Sequence, residues 1–248
     1  MRRIHISATA DDLSRDAAEE FLRVTADAVK VRSRCFVALA GGSTPRGLYR
    51  ALATMQPLRT QVPWSRIEFF WSDERHVPPD DPESNYRMAS ETMLAAAPVV
   101  PTQIHRVRTE NPDAVIVGRQ YEEEILTGVT HEGGMPRFDL MLLGLGTDGH
   151  TASLFPGTTA LEERQRLCVD TWVERLSTHR ITMTLPLINA ARTAMFVVSG
   201  LEKAAIVRQV LIPAAAGSAL PAQLVQPDGE LLWMLDEKAA GLVDEAVR

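Results

Sequence analysis

Short apolar runs rich in β-branched and aromatic residues alternate along this chain with longer segments whose apolar positions recur at helical spacing. "CFVALAGG" (35–42), "RIEFFWSDE" (66–74), "FDLMLLGLG" (138–146), "RLCVDTWV" (166–173), "RITMTL" (180–185), "TAMFVVSG" (193–200) and "ELLWMLD" (230–236) predict strands. Residues 11–32, 45–54, 85–96, 113–126 and 201–211 predict helices between them. Such alternation indicates βα units and a mainly parallel sheet covered on both faces, with ligands expected at the C-terminal ends of the strands. Pro and Gly mark the loops at 77–84, 97–103, 131–136 and 212–221, none of them long, and no internal repeat is present. A single domain over residues 1–248 is therefore expected.

Composition changes this picture mainly by exclusion. The formal net charge of −6 disfavours nucleic acid, whose phosphates require a basic face, so any anionic ligand must be held by local cations. No apolar stretch is long enough to span a bilayer, and "MRRIHISATA" lacks the apolar core of a signal peptide; a soluble, cytoplasmic protein is expected, without nucleic acid or membrane partners. Cys35 and Cys168 both fall in apolar, strand-like runs and read as small buried thiols. Of 26 basic residues only Lys30, Lys203 and Lys238 are lysine, so Lys203 stands out in the interior of the chain. The acidic run Glu122 to Glu124 reads as a solvated helix face.

Four strand ends carry candidate chemistry. In "GGSTPRG" (41–47), Gly41 and Gly42 free the backbone, Ser43 or Thr44 can cap, and Pro45 suits a first helical turn whose amides would face an anion. "WSDERHV" (71–77) places Asp73 and Arg75 where they suit substrate hydroxyls and an oxyanion or phosphate, whereas Glu74 and His76 read as the chain meeting water. "GLGTDGHTASLFPG" (144–157) matches G-x-G-x-x-G, and Asp170 lies about 20 residues on, where a dinucleotide-binding fold would place a ribose-binding acid. Against a dinucleotide, Pro156 interrupts the helix such a unit needs and Asp148 would sit beside a pyrophosphate. The chemical alternative makes His150 a base near neutral pH and Asp148 its orienting partner. The fourth region begins a strand at Arg180 and places Lys203 in the first turn after Ser199-Gly200, a cation opposing the helix macrodipole that a bound anion would explain. No G-x-S-x-G, P-loop or H-E-x-x-H is present, and Asp148 with His150 finds no third metal ligand by spacing.

"GGSTPRGLY", "WSDERHVPPDDPESNYRMA", "FDLMLLGLGTDGHTASLFPG", "RITMTLPLINAAR" and "VVSGLEKA" resemble, in order and spacing, the signature segments of the 6-phosphogluconolactonases, from about Gly41 to Lys203. The glucosamine-6-phosphate deaminases share the fold and a similar Asp-Gly-His loop but carry a Glu where this chain has Phe155, so "SLFPG" favours the lactonases. The resemblance implies an α/β fold of three Rossmann-like layers and hydrolysis of 6-phospho-D-glucono-1,5-lactone in the pentose phosphate pathway, with His150 activating water and no cofactor or metal. It implies that Gly41, Gly42, Ser43, Thr44, Arg46, Arg75, Arg180 and Lys203 handle phosphate and developing negative charge. Asp73 is the next candidate base after His150. The partner expected is the small sugar-phosphate lactone, bound by a monomer or weak homo-oligomer. A deaminase and a dinucleotide-binding oxidoreductase are the alternatives.

Overall fold

The structure, a computed structural model, describes residues 2–212 and 219–244. In chain order its elements are β1 (Arg2–Ser7), α1 (Ala10–Arg32), β2 (Cys35–Leu39), α2 (Ser43–Thr54), α3 (Leu58–Gln61), β3 (Ile67–Trp71), β4 (Asp73–Arg75), α4 (Asn85–Ala89), α5 (Ala114–Gly128), β5 (His131–Glu132), β6 (Met135–Pro136), β7 (Leu140–Leu143), α6 (Thr159–Glu162), β8 (Cys168–Val173), β9 (Thr178–Met183), α7 (Leu185–Asn189), β10 (Thr193–Val198), α8 (Ala204–Leu211) and β11 (Glu230–Asp236). The expected loop at 131–136 is the small β5–β6 hairpin. Most of the expected loop at 212–221 lies outside the described residues.

Six strands form one wholly parallel sheet in the order β1-β11-β10-β7-β2-β3. Side chains along its inner strands alternate between two cores, because successive residues of a strand point to opposite faces. Cys35, Val37 and Leu39 of β2 pack with Leu13, Phe21 and Tyr49 of α1 and α2. Phe36 and Ala38 pack on the other face with Tyr121 and Ile125 of α5 and Val207 of α8. This is the expected three-layer α/β arrangement. Its strand order reverses between β2, which leads to β3 on one side, and β7 on the other, and ligands in such sheets bind beyond that reversal.

Two of the predicted strands leave this pattern. β8 and β9 pair antiparallel, and β4 adds to β9, in a separate three-stranded sheet. Only residues 174–177 separate β8 from β9, too few for the crossover that parallel pairing requires. The predicted strand 66–74 is likewise divided. Ser72 donates its amide to Leu39 O of the parallel sheet (2.8 Å) and accepts from Met183 N of the small sheet (2.9 Å), so the chain passes from one sheet to the other at this residue. Its consequence is register: Asp73 stands opposite Thr182, and Arg75 opposite Arg180.

Edge strand β1 escapes the hydrophobic pattern because Arg2, Arg3 and His5 interrupt it. The predicted helix at 85–96 is an α-helical turn followed by a π-helical one at Ser90–Leu94. The reading of Glu122–Glu124 as a solvated face holds only for Glu123: Glu122 pairs with Arg166 (2.7 Å) and accepts from the Leu167 and Cys168 amides, and Glu124 accepts from His105 (3.0 Å). Cys35 and Cys168 are buried free thiols, as expected. No described helix is long and apolar enough to cross a membrane.

Candidate active site

The C-terminal ends of β2, β3, β7 and β10 enclose a cavity of about 220 Å³, lined among others by Gly41, Gly42, Ser43, Thr44, Asp73, Arg75, Asn85, His150 and Lys203. The 41–47 turn reaches it through Gly42, at φ 102° in the region that favours glycine, and Gly42 is itself the N-cap of α2. Neither Ser43 nor Thr44 caps with its side chain, contrary to the sequence expectation; both are helical residues of the first turn, where backbone N–H groups have no intrahelical acceptor. Arg46, on the same turn, is exposed and is not among the lining residues.

Past β7 the chain does not enter a helix. Residues 144–158 form a turn and a short bridge between Thr151 and Leu154, so the dinucleotide reading of this loop fails for want of the helix at Gly149. Asp170, its proposed ribose acid, lies on β8 in the small sheet beside His179 (3.5 Å). What the loop builds is a dyad. His150 Nδ1–H donates to Asp148 Oδ1 at 2.5 Å, leaving Nε2 without a hydrogen bond among the described residues and unprotonated in this tautomer. Gly146 makes the contact sterically feasible, since a Cβ there would stand 1.9 Å from His150 Nδ1 and 2.7 Å from Asp148 Oδ1. Ala152, a cavity-lining residue two positions on, sits at φ 47°, an unfavourable conformation for a side-chain-bearing residue and typical of functional loops.

Phe155 packs its ring 4.1 Å from that of His150. Burial among such neighbours holds the His150 imidazole below its ordinary value, outweighing Asp148 and Asp73, which favour the imidazolium; Arg175 adds to the depression. Asp148 is held below the usual carboxylate range; burial raises it, but His150 and Arg175 together outweigh that effect.

Across the cavity Asp73 is fixed by Ser153 Oγ, which donates to Oδ2 at 2.6 Å, while Asn85 Nδ2 donates to the Asp73 carbonyl at 2.9 Å. Glu74 is a correction to the sequence reading: it is buried, accepting from the amides of Arg75 (2.7 Å), Asn85 (2.8 Å) and Tyr86 (2.7 Å) and from Ser84 Oγ (3.2 Å). Burial pushes its carboxyl up to about 7 against those donors. Glu74 thus ties β4 to the start of α4 and seats Asn85 over Gly41. His76 remains half-buried at the margin.

Three cations stand at or behind the cavity wall. Arg75 donates to Glu83 O (2.8 Å), and Lys203 to Leu145 O (2.7 Å). Arg180 is buried behind Arg75, its Nε without a partner, and burial and Arg75 together depress its guanidinium. Among the described residues none of the three forms a salt bridge. Positive charges kept at a cavity without carboxylate partners suit an anionic ligand. Arg180 stands behind the cavity wall, as Asp148 stands behind His150; neither lines it. Arg175, Asn85 and Ser153 were not singled out from the sequence. A turn following a strand gives no signal that it will fold back over a loop 25 residues earlier.

This fold and site belong to a known class of sugar-phosphate proteins: residues 8–233 match the family model described as glucosamine-6-phosphate isomerases/6-phosphogluconolactonase, and the chain belongs to that family. Within it, the chain is 42% identical over 213 residues to a 6-phosphogluconolactonase of Nostoc and 43% identical over 213 residues to one of Synechocystis, covering 86% of both chains in each case. The solved structure of 6-phosphogluconolactonase from Trypanosoma brucei superposes with a TM-score of 0.88 at 28% identity, over 98% of this chain and 99% of that one. A monomeric glucosamine-6-phosphate deaminase shares the fold, with a TM-score of 0.78 at 23% identity and coverage of 97% and 99%.

Proposed function

We propose that the chain hydrolyses 6-phospho-D-glucono-1,5-lactone to 6-phosphogluconate. The observation that carries this reading is the pairing, in one cavity, of a His150–Asp148 dyad whose Nε2 is free with cations that lack carboxylate partners. Neutral His150 takes a proton from water as the water oxygen attacks the lactone C1 carbonyl. Asp148 holds the required tautomer and stabilises the imidazolium that forms. Charge developing on the carbonyl oxygen is met by Arg75, backed by Arg180. Collapse of the tetrahedral intermediate breaks the bond from C1 to the ring oxygen, which leaves on C5 and receives the proton from His150.

The phosphate is placed at the start of α2, where the Ser43 and Thr44 amides and the helix dipole favour an anion, with Lys203 completing its charge. Asp73 and Asn85 face the sugar hydroxyls. Nothing in this scheme needs a metal or redox cofactor, and the whole chain acts as one catalytic unit in the cytoplasm. Phe155 at the His150 ring favours hydrolysis over deamination, since an apolar ring occupies the place where the deaminases carry a carboxylate.

The deciding experiment is lactone hydrolysis measured above the spontaneous rate, with the phosphorylated and unphosphorylated lactones side by side. Strong preference for the phosphorylated compound is expected. Ammonia released from glucosamine 6-phosphate, or NAD or NADP bound at micromolar concentration, would replace this reading with one of its alternatives.

A further inference from the structure

Arg175 reaches the dyad from outside its loop. It lies in the 3-10 turn Glu174–Leu176 between β8 and β9, followed by Ser177 at φ 46°. Its Nη2 contacts Asp148 Oδ2 at 2.9 Å, and the same nitrogen lies 3.5 Å from His150 Nδ1. The guanidinium carbon stands 5.0 Å above the ring of Phe155, the ring that packs on His150. Asp148 is therefore divided, with one oxygen for the imidazole and the other for the guanidinium. We infer that Arg175 is a positioning residue of the reaction: it pairs with the Asp148 oxygen that His150 does not use and offsets the charge of that carboxylate at the imidazole; this rests on the reading of His150 as general base.

The physical argument is a balance of charges. An ionised Asp148 alone would orient His150 but would also stabilise its imidazolium and so delay the base until higher pH. Asp73, from β4, acts in the same direction. Arg175 is the cation that faces the dyad from the small sheet, and it offsets Asp148 while leaving the Nδ1–H···Oδ1 hydrogen bond intact. The other cavity cations, Arg75 and Lys203, are bonded to the backbone carbonyls of Glu83 and Leu145 and not to Asp148. Because the Arg175 side chain is about half exposed, solvent weakens its effect without abolishing it.

Arg175→Met keeps an apolar stem over Phe155 and removes the charge. NMR titration of the His150 imidazole should then show its pKa rising by about 0.5–1 unit, and Arg175→Lys should restore part of the shift. The acid limb of kcat should move by the same amount, with the high-pH plateau and KM for the phosphorylated lactone near wild type. An unmoved imidazole pKa overturns the inference, as does a plateau lost without a shift, which is the mark of a structural role only. A large rise in KM confined to the phosphorylated substrate also overturns it, assigning Arg175 to phosphate instead. If the imidazole pKa moves but the kinetic limb does not, the coupling stands and the general-base reading of His150 fails.

Discussion

The two sides of the cavity treat charge in opposite ways. On the side of the 144–158 loop every ionic group is matched: His150 to Asp148, Asp148 to Arg175, with Phe155 packed beneath. Elsewhere around the cavity, Arg75 of β4, Arg180 of β9 and Lys203 after β10 have only carbonyl partners or, at Arg180 Nε, none. Unmatched charge drawn into a cavity is costly to the folded protein, and we propose that its persistence here marks where the ligand completes the structure. Matched charge marks where a proton must move reversibly without large rearrangement. A reaction that fixes a phosphate at one end and transfers a proton at the other needs this asymmetry.

Removing the base should have the largest effect. His150→Asn is expected to lower turnover by about 10²–10⁴-fold with little change in affinity, as judged from steady-state kinetics corrected for spontaneous hydrolysis. Near-normal turnover in a folded variant would move the base to Asp73. Disturbing the dyad without deleting it comes next. Gly146→Ala forces a methyl group into His150 Nδ1 and Asp148 Oδ1, and turnover should drop by roughly 10²-fold while an inert phosphorylated analogue still binds.

A smaller effect is expected on the unmatched side. Lys203→Met should weaken the phosphorylated lactone by roughly 1.5–3 kcal/mol through loss of a charge-assisted contact and leave the unphosphorylated lactone almost unaffected. Equal losses on both would erase the proposed division of the cavity. The subtlest test is pH. The active form of His150 is neutral and burial depresses its pKa, so wild-type turnover should fall on acidification only below the ordinary histidine value of about 6.5. Stability follows the same sign: the unfolded chain takes up this proton first, so the His150 contribution is complete above that value and lost as pH falls through the folded one. An acid limb above 6.5 would show that the carboxylates, and not burial, dominate the site.

Much of this was legible in residue order, and the remainder had a physical reason to be hidden. The four inner strands of the parallel sheet, β11, β10, β7 and β2, announce themselves because each is buried on both faces, which demands an apolar run. β1 pairs on one edge only and tolerates Arg2, Arg3 and His5. The 41–47 turn, Asp73, Arg75, the Asp148–His150 pair and Lys203 could be singled out because each follows directly on a predicted strand. Arg46 could not be separated from them by position alone, since the face of a helical turn depends on where the cap falls, and the cap is Gly42 and not Ser43. The small antiparallel sheet was implicit in the short 174–177 connection, but its pairing with β4 depends on Ser72 turning the chain between sheets. Arg175 was invisible for a related reason, because its partner is set by how a hairpin folds back over a loop far away in sequence.

Two tyrosine hydroxyls give the cavity rim a further property. Tyr49, from α2 on one face, donates to Ala40 O and accepts from Ala40 N; Tyr121, from α5 on the other, does the same with Trp71. Each hydroxyl closes the last backbone pair of its strand, where a sheet would otherwise begin to fray, and both are fully enclosed. Amide hydrogens locked in this way are released to solvent only when helix and strand separate, an event on the scale of unfolding the core. The 41–47 turn and the start of β4, with Asp73 and Arg75, are therefore rooted in backbone that opens only with the core.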